Sequence, residues 1–295
     1  VSGPYGRRGY VEGLAGKDDV VTDLWGGHVL IRPIPGGGVD AASAYPMGGF
    51  APVRDLDAGL DGLRAAGVVS LKVVADPLNG PDPAALAVRA DRHRRLKTHY
   101  VIDRAAAPYA PSKHHRYEIR RAQRHVVVDR VGLAEIMDSW RALYGHLSGR
   151  HGIDPAAQLG RARFDALSRD PQAIVMAATL GGETVAVSIW LSDGEVAHNH
   201  LGASSEAGYR VGASYALYAA AIEVLAPCRV IDLGGMPGLA DDPAHGLARF
   251  KRGFANAERA TWLSGFILDR PAYDAAVCRT GADPDGCFFP AYRAR

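Results

Sequence analysis

The chain is poor in several things, and each shortage removes a class of protein. No apolar run in its 295 residues approaches the roughly 20 that a helix needs to cross a bilayer. Three cysteines, Cys228, Cys278 and Cys287, are an odd number without a CxxC spacing. They argue against a disulfide framework or zinc ribbon and for free thiols in a reducing compartment. Neither sign of charge prevails: 34 Lys and Arg face 32 Asp and Glu. A polyanion could therefore be attracted only by local clustering. The opening "VSGPYGRRGY" is basic but has no apolar stretch behind it, so it does not read as a secretory signal. The expected location is the cytoplasm.

Glycine is abundant. The 35 glycines alternate with apolar runs, the pattern of a folded protein with many tight turns, and the length suits two domains. "DVVTDLW" (19–25) and "HVLIRPI" (28–34) predict a hairpin turning at Gly26-Gly27. Leu56, Leu60 and Leu63 have helical spacing, with Gly67 as a stop before a strand at 68–76. "HYVIDRA" (99–105) predicts another strand. Prolines at 108 and 111 then interrupt regular structure, and Ser112 is placed to cap a helix.

That helix, "KHHRYEIRRAQRH" (113–125), is the charge cluster that the net charge conceals. Arg116, Arg120 and Arg124 recur at four-residue intervals, and Lys113 and Arg121 add to them against Glu118. A solvated face is one reading; a contact with RNA phosphates or a diphosphate is the other. A helix over 133–153 and another near 156–169 follow. Next come three strands linked as hairpins (173–180, 184–191, 196–203), a helix at 214–226 and a strand at 228–235. Helix, meander, helix, strand is α+β order with an antiparallel core. The domain boundary is expected after residue 125, giving units of 1–125 and 126–295.

Several chemistry-bearing residues stand out. "GLARFKRGF" (246–254) sets Phe250, Lys251 and Arg252 side by side. They read either as an ordinary helix end or as an aromatic plate and a cation for an anionic substrate that carries a base. His198 and His200 alternate on one strand and should face the same side. They are open to a ligand or base role, but no third ligand has metal spacing. Asp232 points away from Ile231 and Leu233, toward proton handling or a loop cap. Arg150 closes its helix, as a dipole partner or an anion contact. "SSEAGYRVGAS" (204–214) stands where a pyrophosphate loop would precede a helix, with Arg210 and Gly212 but without the full glycine spacing.

As an ordered set, "SAYPMGGFAP" (43–52), the basic helix, "LYGHLSGRHGI" (143–153), "HLGASS" (200–205), "VIDLGGMPG" (230–238) and "FKRGF" (250–254) resemble the FemABX-like tandem-GNAT transferases and their BioF2-like relatives. The resemblance implies two GNAT-like (acyl-CoA N-acyltransferase) lobes, the first abbreviated, joined by the basic helix. It implies transfer of an aminoacyl group from aminoacyl-tRNA to an amine, with Phe250 against the terminal adenosine and Lys251 near the oxyanion. Arg150, Tyr45, His200 and Arg210 would contact substrate. Lys113, Arg116, Arg120, Arg124 and Arg252 would contact tRNA phosphates, and Asp232 would act at the acceptor amine. No tightly bound cofactor or metal is expected, and acyl-CoA is the alternative donor. The long helical-hairpin arm of some members is missing and the first lobe starts abruptly. Both favour a small or freestanding acceptor, as in natural-product biosynthesis, over peptidoglycan. A non-catalytic RNA-binding module is the remaining alternative.

Overall fold

The computed structural model describes residues 3–53, 55–152, 159–236, 242 and 244–294. Two compact units emerge: Val1–Lys97 with Ala260–Arg295, and Thr98–Arg259. The chain leaves the first unit within strand β5 (Arg92–Asp103) and returns to it within β11 (Ala257–Ile267). The division therefore differs from the expected one at residue 125. The basic helix belongs inside the second unit, and the last 36 residues complete the first. Local patterns cannot reveal such a return, because it depends on the long-range pairing of β11 with β4 (Val68–Val74), in which Leu263 lies opposite Val74.

In the first unit, β1 (Val20–Leu24) and β2 (Gly27–Pro33) form the expected hairpin, with its turn one residue earlier. Leu24 pairs with Gly27, so Trp25 and Gly26 make the bend, with φ of 49° and 69°. Trp25 tolerates the left-handed region because its ring is buried. It packs edge-on to Phe50 at 5.6 Å, and its Nε1 donates to the Leu56 carbonyl at 3.2 Å. Gly27 is needed for another reason: a Cβ there would stand 2.2 Å from the Gly49 carbonyl oxygen. β3 (Val39–Ser43) runs antiparallel to β2 and parallel to β4. Helices α2 (Leu56–Ala65) and α3 (Pro83–Arg89) bury Leu56, Leu60, Leu63 and Leu86 against Leu71 and Val73. α10 (Arg270–Thr280) packs Tyr273, Ala276 and Val277 with Val69 and Leu263.

The second unit holds the predicted three-stranded meander: β7 (Ala173–Leu180), β8 (Glu183–Ser192) and β9 (Val196–Ser204) pair antiparallel in chain order. A further strand that the sequence reading did not give, β6 (Val127–Val131), pairs antiparallel with β7. The short β10 (Val230–Asp232) lies parallel to β9 and antiparallel to the 101–103 segment of β5. The helices are α4 (Lys113–Ala122), α5 (Met137–His151), α6 (Arg161–Ser168), α7 (Glu206–Val211), α8 (Ala213–Val224) and α9 (Gly246–Phe254). Their core joins Tyr100, Ile102, Trp190, Leu217, Ile231, Leu233 and Phe254.

Three expected elements are shorter than their apolar patterns. α4 ends at Ala122, so Arg124 sits in the following turn and not on the helical face of Arg116 and Arg120. Leu133 is buried, but α5 begins only after Ile136. β10 stops at Asp232, two residues before Gly234 enters the left-handed region at φ 79°. The expected helix start at 156–158 and the ends of the motifs at 153 and 237–238 lie outside the described residues.

Candidate active site

The register of three strands builds the centre of the second unit. Asp232 lies directly opposite His198 on β9 and Val101 on β5. Side chains two residues apart along a strand share a face, so His99 joins Val101 on the side of Asp232. Asp232 Oδ2 accepts from His99 Nδ1 at 2.7 Å and from His198 Nδ1 at 3.3 Å. Oδ1 accepts the Gly234 backbone N–H at 2.6 Å. With 1% of its surface exposed, Asp232 is solvated by protein alone. Burial would raise its pKa, but His99 and then His198 hold the carboxylate well below the usual range. Such a carboxylate is a poor base. Asp232 therefore orients two imidazoles and fixes the turn after β10.

That turn meets the lysine. α9 starts at His245, whose Nδ1 accepts from Leu247 N–H at 3.1 Å, and buries Ala248, Lys251 and Phe254, three residues apart on one stripe. Lys251 therefore faces inward, with 7% of its surface exposed, although it sits among the polar residues of the sequence. Its Nζ donates to the Gly235 carbonyl at 2.7 Å. A Cβ on Gly234 would stand 3.1 Å from that nitrogen, so glycine serves both the positive φ and the close approach of the ammonium. The result is a buried ammonium fixed beside a glycine turn.

Phe250, half-buried, sits in an aromatic cage. Tyr218 lies 4.8 Å away, Tyr215 5.0 Å, Phe254 5.3 Å and His115 5.9 Å, centroid to centroid. His115 pins α4 to α9. Its Nε2 donates to the Phe250 carbonyl at 2.8 Å, so Nδ1 is left to accept from Ser112 Oγ at 3.0 Å. Burial lowers the His115 pKa and keeps this neutral tautomer. Nearby, Tyr218 Oη donates to Asn199 Oδ1 at 2.9 Å, and burial raises the Tyr218 pKa.

A β-bulge interrupts the regular strand expected at His198 and His200. The β8–β9 register shifts so that Trp190 pairs with Asn199 and Ile189 with Leu201, which places His200 at a bulge. His198 is committed to Asp232. His200 is kept neutral: burial above all, then His198, pushes it down to about 3. Among the described residues no group of three His, Cys, Asp or Glu is arranged to hold a metal ion.

The other expected residues are dispersed. Tyr45 belongs to the first unit and is exposed; its carbonyl accepts from Tyr10 Oη. Arg150 lies 4.4 Å above the Tyr209 ring. Arg210 is exposed, and its carbonyl accepts from Arg121 Nη2 at 3.2 Å. Arg252 Nη2 donates to Tyr100 Oη at 3.1 Å. On α4, Glu118 is taken by Arg121 at 2.9 Å and Arg116 Nη1 donates to the Pro111 carbonyl. Lys113, Arg120 and Arg124 are exposed with no ion pair among the described residues. The stretch expected to resemble a pyrophosphate loop is instead helix α7. Ser205 Oγ caps it at the Gly208 N–H, and Gly212, at φ 71°, separates it from α8.

Sequence reasoning missed His99, His115, Tyr215 and Tyr218. The apolar context of Tyr215 and Tyr218 pointed to core, and nothing local marked His99 as the partner of a residue 133 positions away.

Comparison with known proteins gives this geometry a setting. Residues 111–252 match the family described as acetyltransferase (GNAT) domain. Three solved structures share most of the chain's course. L-PGS from Bacillus licheniformis has a TM-score of 0.61 at 14% identity, over 92% of this chain and 90% of that one. FemX has 0.58 at 14%, over 88% of each. The C-terminal domain of a lysylphosphatidylglycerol synthetase from Agrobacterium fabrum has 0.57 at 16%, over 88% and 89%. The chain shares the fold of these three structures. No curated protein matches it. The GNAT domain match takes in α4, Asp232 and Lys251, which all fall within the matched span. No helix of the described residues is long and apolar enough to cross a membrane.

Proposed function

We propose that the protein transfers an aminoacyl group from aminoacyl-tRNA to the amine of a small molecule or short peptide. The observation that carries this reading is the buried Lys251 ammonium, held to the Gly235 carbonyl on a glycine turn. The neutral amine attacks the ester carbonyl and forms the C–N bond. The tetrahedral oxyanion lies against Lys251, the C–O bond breaks, the ribose oxygen is protonated and the amine proton passes to water. The ester is already activated, so no covalent enzyme intermediate is needed. The protein contributes proximity and charge stabilisation. Asp232, too acidic to take the proton, holds the turn that seats Lys251. Phe250, supported by its aromatic cage, offers a face to the terminal adenine, a contact of about 1–3 kcal/mol. Lys113, Arg116, Arg120, Arg124 and Arg252 supply cations for the acceptor-stem phosphates. The names of FemX and of the lysylphosphatidylglycerol synthetase agree with aminoacyl transfer.

An acyl-CoA donor is the second reading, favoured by the GNAT match. Against it, α7 occupies the place where a pyrophosphate loop would present its N–H groups. Incubation with candidate amines and either charged tRNA or acyl-CoA, with products read by mass spectrometry, decides between them. An amide product is expected from charged tRNA, and ribonuclease pretreatment of the tRNA should abolish its formation. Product formed from acyl-CoA alone would establish the second reading, and no product from either would remove both.

A further inference from the structure

The first unit contains a cavity of about 420 Å³ whose lining has a surplus of positive charge. Arg32 on β2, Lys72 on β4 and Arg293 in the C-terminal segment all reach it, with Pro35, Phe288, Pro290 and Tyr292 completing much of the wall. Asp40, fully buried on β3, is the carboxylate among them. It is already saturated. Its Oδ1 accepts from Arg32 Nε at 3.1 Å and Nη2 at 3.0 Å, and its Oδ2 from Arg293 Nε and from Tyr292 Oη at 3.2 Å. Ser70 Oγ in turn donates to Tyr292 Oη at 2.7 Å.

The saturation leaves donors unclaimed. Arg32 uses Nε and Nη2, and Arg293 uses Nε toward Asp40 and Nη2 toward the Pro33 carbonyl at 2.7 Å. Each keeps its Nη1 free among the described residues. Lys72 Nζ makes no hydrogen bond or ion pair with any described residue. Desolvation, and then the Arg32 charge, lower its pKa. An apolar side chain would suit that strand better than an ammonium that feels the Arg32 and Arg293 charges and, in attraction, only the Asp40 carboxylate they already claim, because burying such a charge is costly. Three cations against one carboxylate leave two positive charges over. A phosphomonoester, carrying about −1.5 to −2 near neutrality, matches that surplus and can accept from all three unclaimed donors. The cavity is within the size range of small-molecule sites, and the exposed Phe288 ring with two prolines lines part of it with apolar surface.

We propose that this cavity binds a small phosphomonoester, its phosphate on Lys72, Arg32 and Arg293 and its organic part against Phe288 and Pro290. The proposal is independent of the acyl-transfer reading, since each of these residues lies in the first unit and the acyl-transfer centre is built in the second.

Titration calorimetry of the full chain with phenyl phosphate, inorganic phosphate and benzoate tests it. Phenyl phosphate should bind most tightly, inorganic phosphate more weakly, and benzoate, a monoanion, least. Lys72→Gln should weaken phenyl phosphate by about tenfold or more, as expected for losing a charged hydrogen-bond donor. Lys72 makes no hydrogen bond or ion pair with any described residue, so this substitution should leave folding intact, which a thermal melt of the variant checks. Replacing Arg120 and Arg124 by glutamine should leave the affinity unchanged. Absence of saturable phosphate binding at millimolar concentration, equal binding by Lys72→Gln, tighter benzoate binding, or loss of binding on neutralising Arg120 and Arg124 would each overturn the assignment.

Discussion

Lys251 is where sequence position and physical environment part company most sharply. Between Phe250 and Arg252 it looks like a solvent residue, yet it is the side chain α9 turns inward. If its ammonium meets the oxyanion, Lys251→Met lowers kcat by about 10²–10³ with little change in acceptor KM, because the charge it stabilises arises mainly in the transition state. Lys251→Arg restores activity only in part, since a planar fork cannot place its charge where the compact ammonium sat. Steady-state kinetics on folded variants checks both, and a fully active Lys251→Met would remove the lysine from the mechanism. His200 gives a prediction about pH. Its ordinary value of 6.5 is lowered to about 3 in the fold. The unfolded chain therefore binds the extra proton first, and the contribution is present above pH 6.5 and lost as pH falls toward 3. Denaturant melts across that window should show stability declining with acid, and His200→Gln should flatten the decline. Identical pH profiles would exclude His200 as the cause.

At the scale of elements, the α4–α9 contact is the joint that holds the aromatic cage. Gly253 lies inside a helix, where alanine would ordinarily gain about 1 kcal/mol. Here a Cβ would stand 1.9 Å from the His115 ring. The clash outweighs propensity. Gly253→Ala should destabilise by about 1–3 kcal/mol, the usual range for overpacking. His115→Ala should relieve most of that clash in the double variant, and additive effects in the cycle would show that the two residues do not meet. Phe250→Leu should both weaken donor binding and lower the melting temperature, since four rings pack around it. A substitution that changes stability alone would make Phe250 a wall residue only. For α4 and its following turn, replacing Arg116, Arg120 and Arg124 together should weaken tRNA binding and flatten its salt dependence, because fewer counterions are released. An unchanged slope would leave α4 a solvated face.

For the whole molecule, the first unit is assembled from both ends of the chain. β11 supplies the antiparallel neighbour of β4, and α10 covers Val69 and Leu263. Removing residues 268–294 should therefore expose Val69 and Leu263 and make residues 3–97 susceptible to limited proteolysis. Retained resistance there would mean that the N-terminal segment holds its core without α10.

Much of this architecture was legible locally. The meander followed from strand-length apolar runs broken at Gly181-Gly182 and Asp193-Gly194, and the start of α4 from Ser112, whose hydroxyl accepts from the His115 N–H. These features depend on neighbouring residues, and periodicity and turn chemistry report on neighbours. Even the turn at Trp25-Gly26 was missed by only one residue. The sequence by itself thus determined the first hairpin, the basic helix, the three-stranded meander with the helix and strand after it, and Asp232 and Lys251 as residues worth attention. Tertiary structure alone decided what those residues touch. Strand register set Asp232 between His99 and His198, a bulge fell at His200, and β11 carried the C-terminal segment back into the first unit. Each of those outcomes rests on pairing between distant segments, where a shift of one residue exchanges the faces of a strand and rebuilds the site from other side chains.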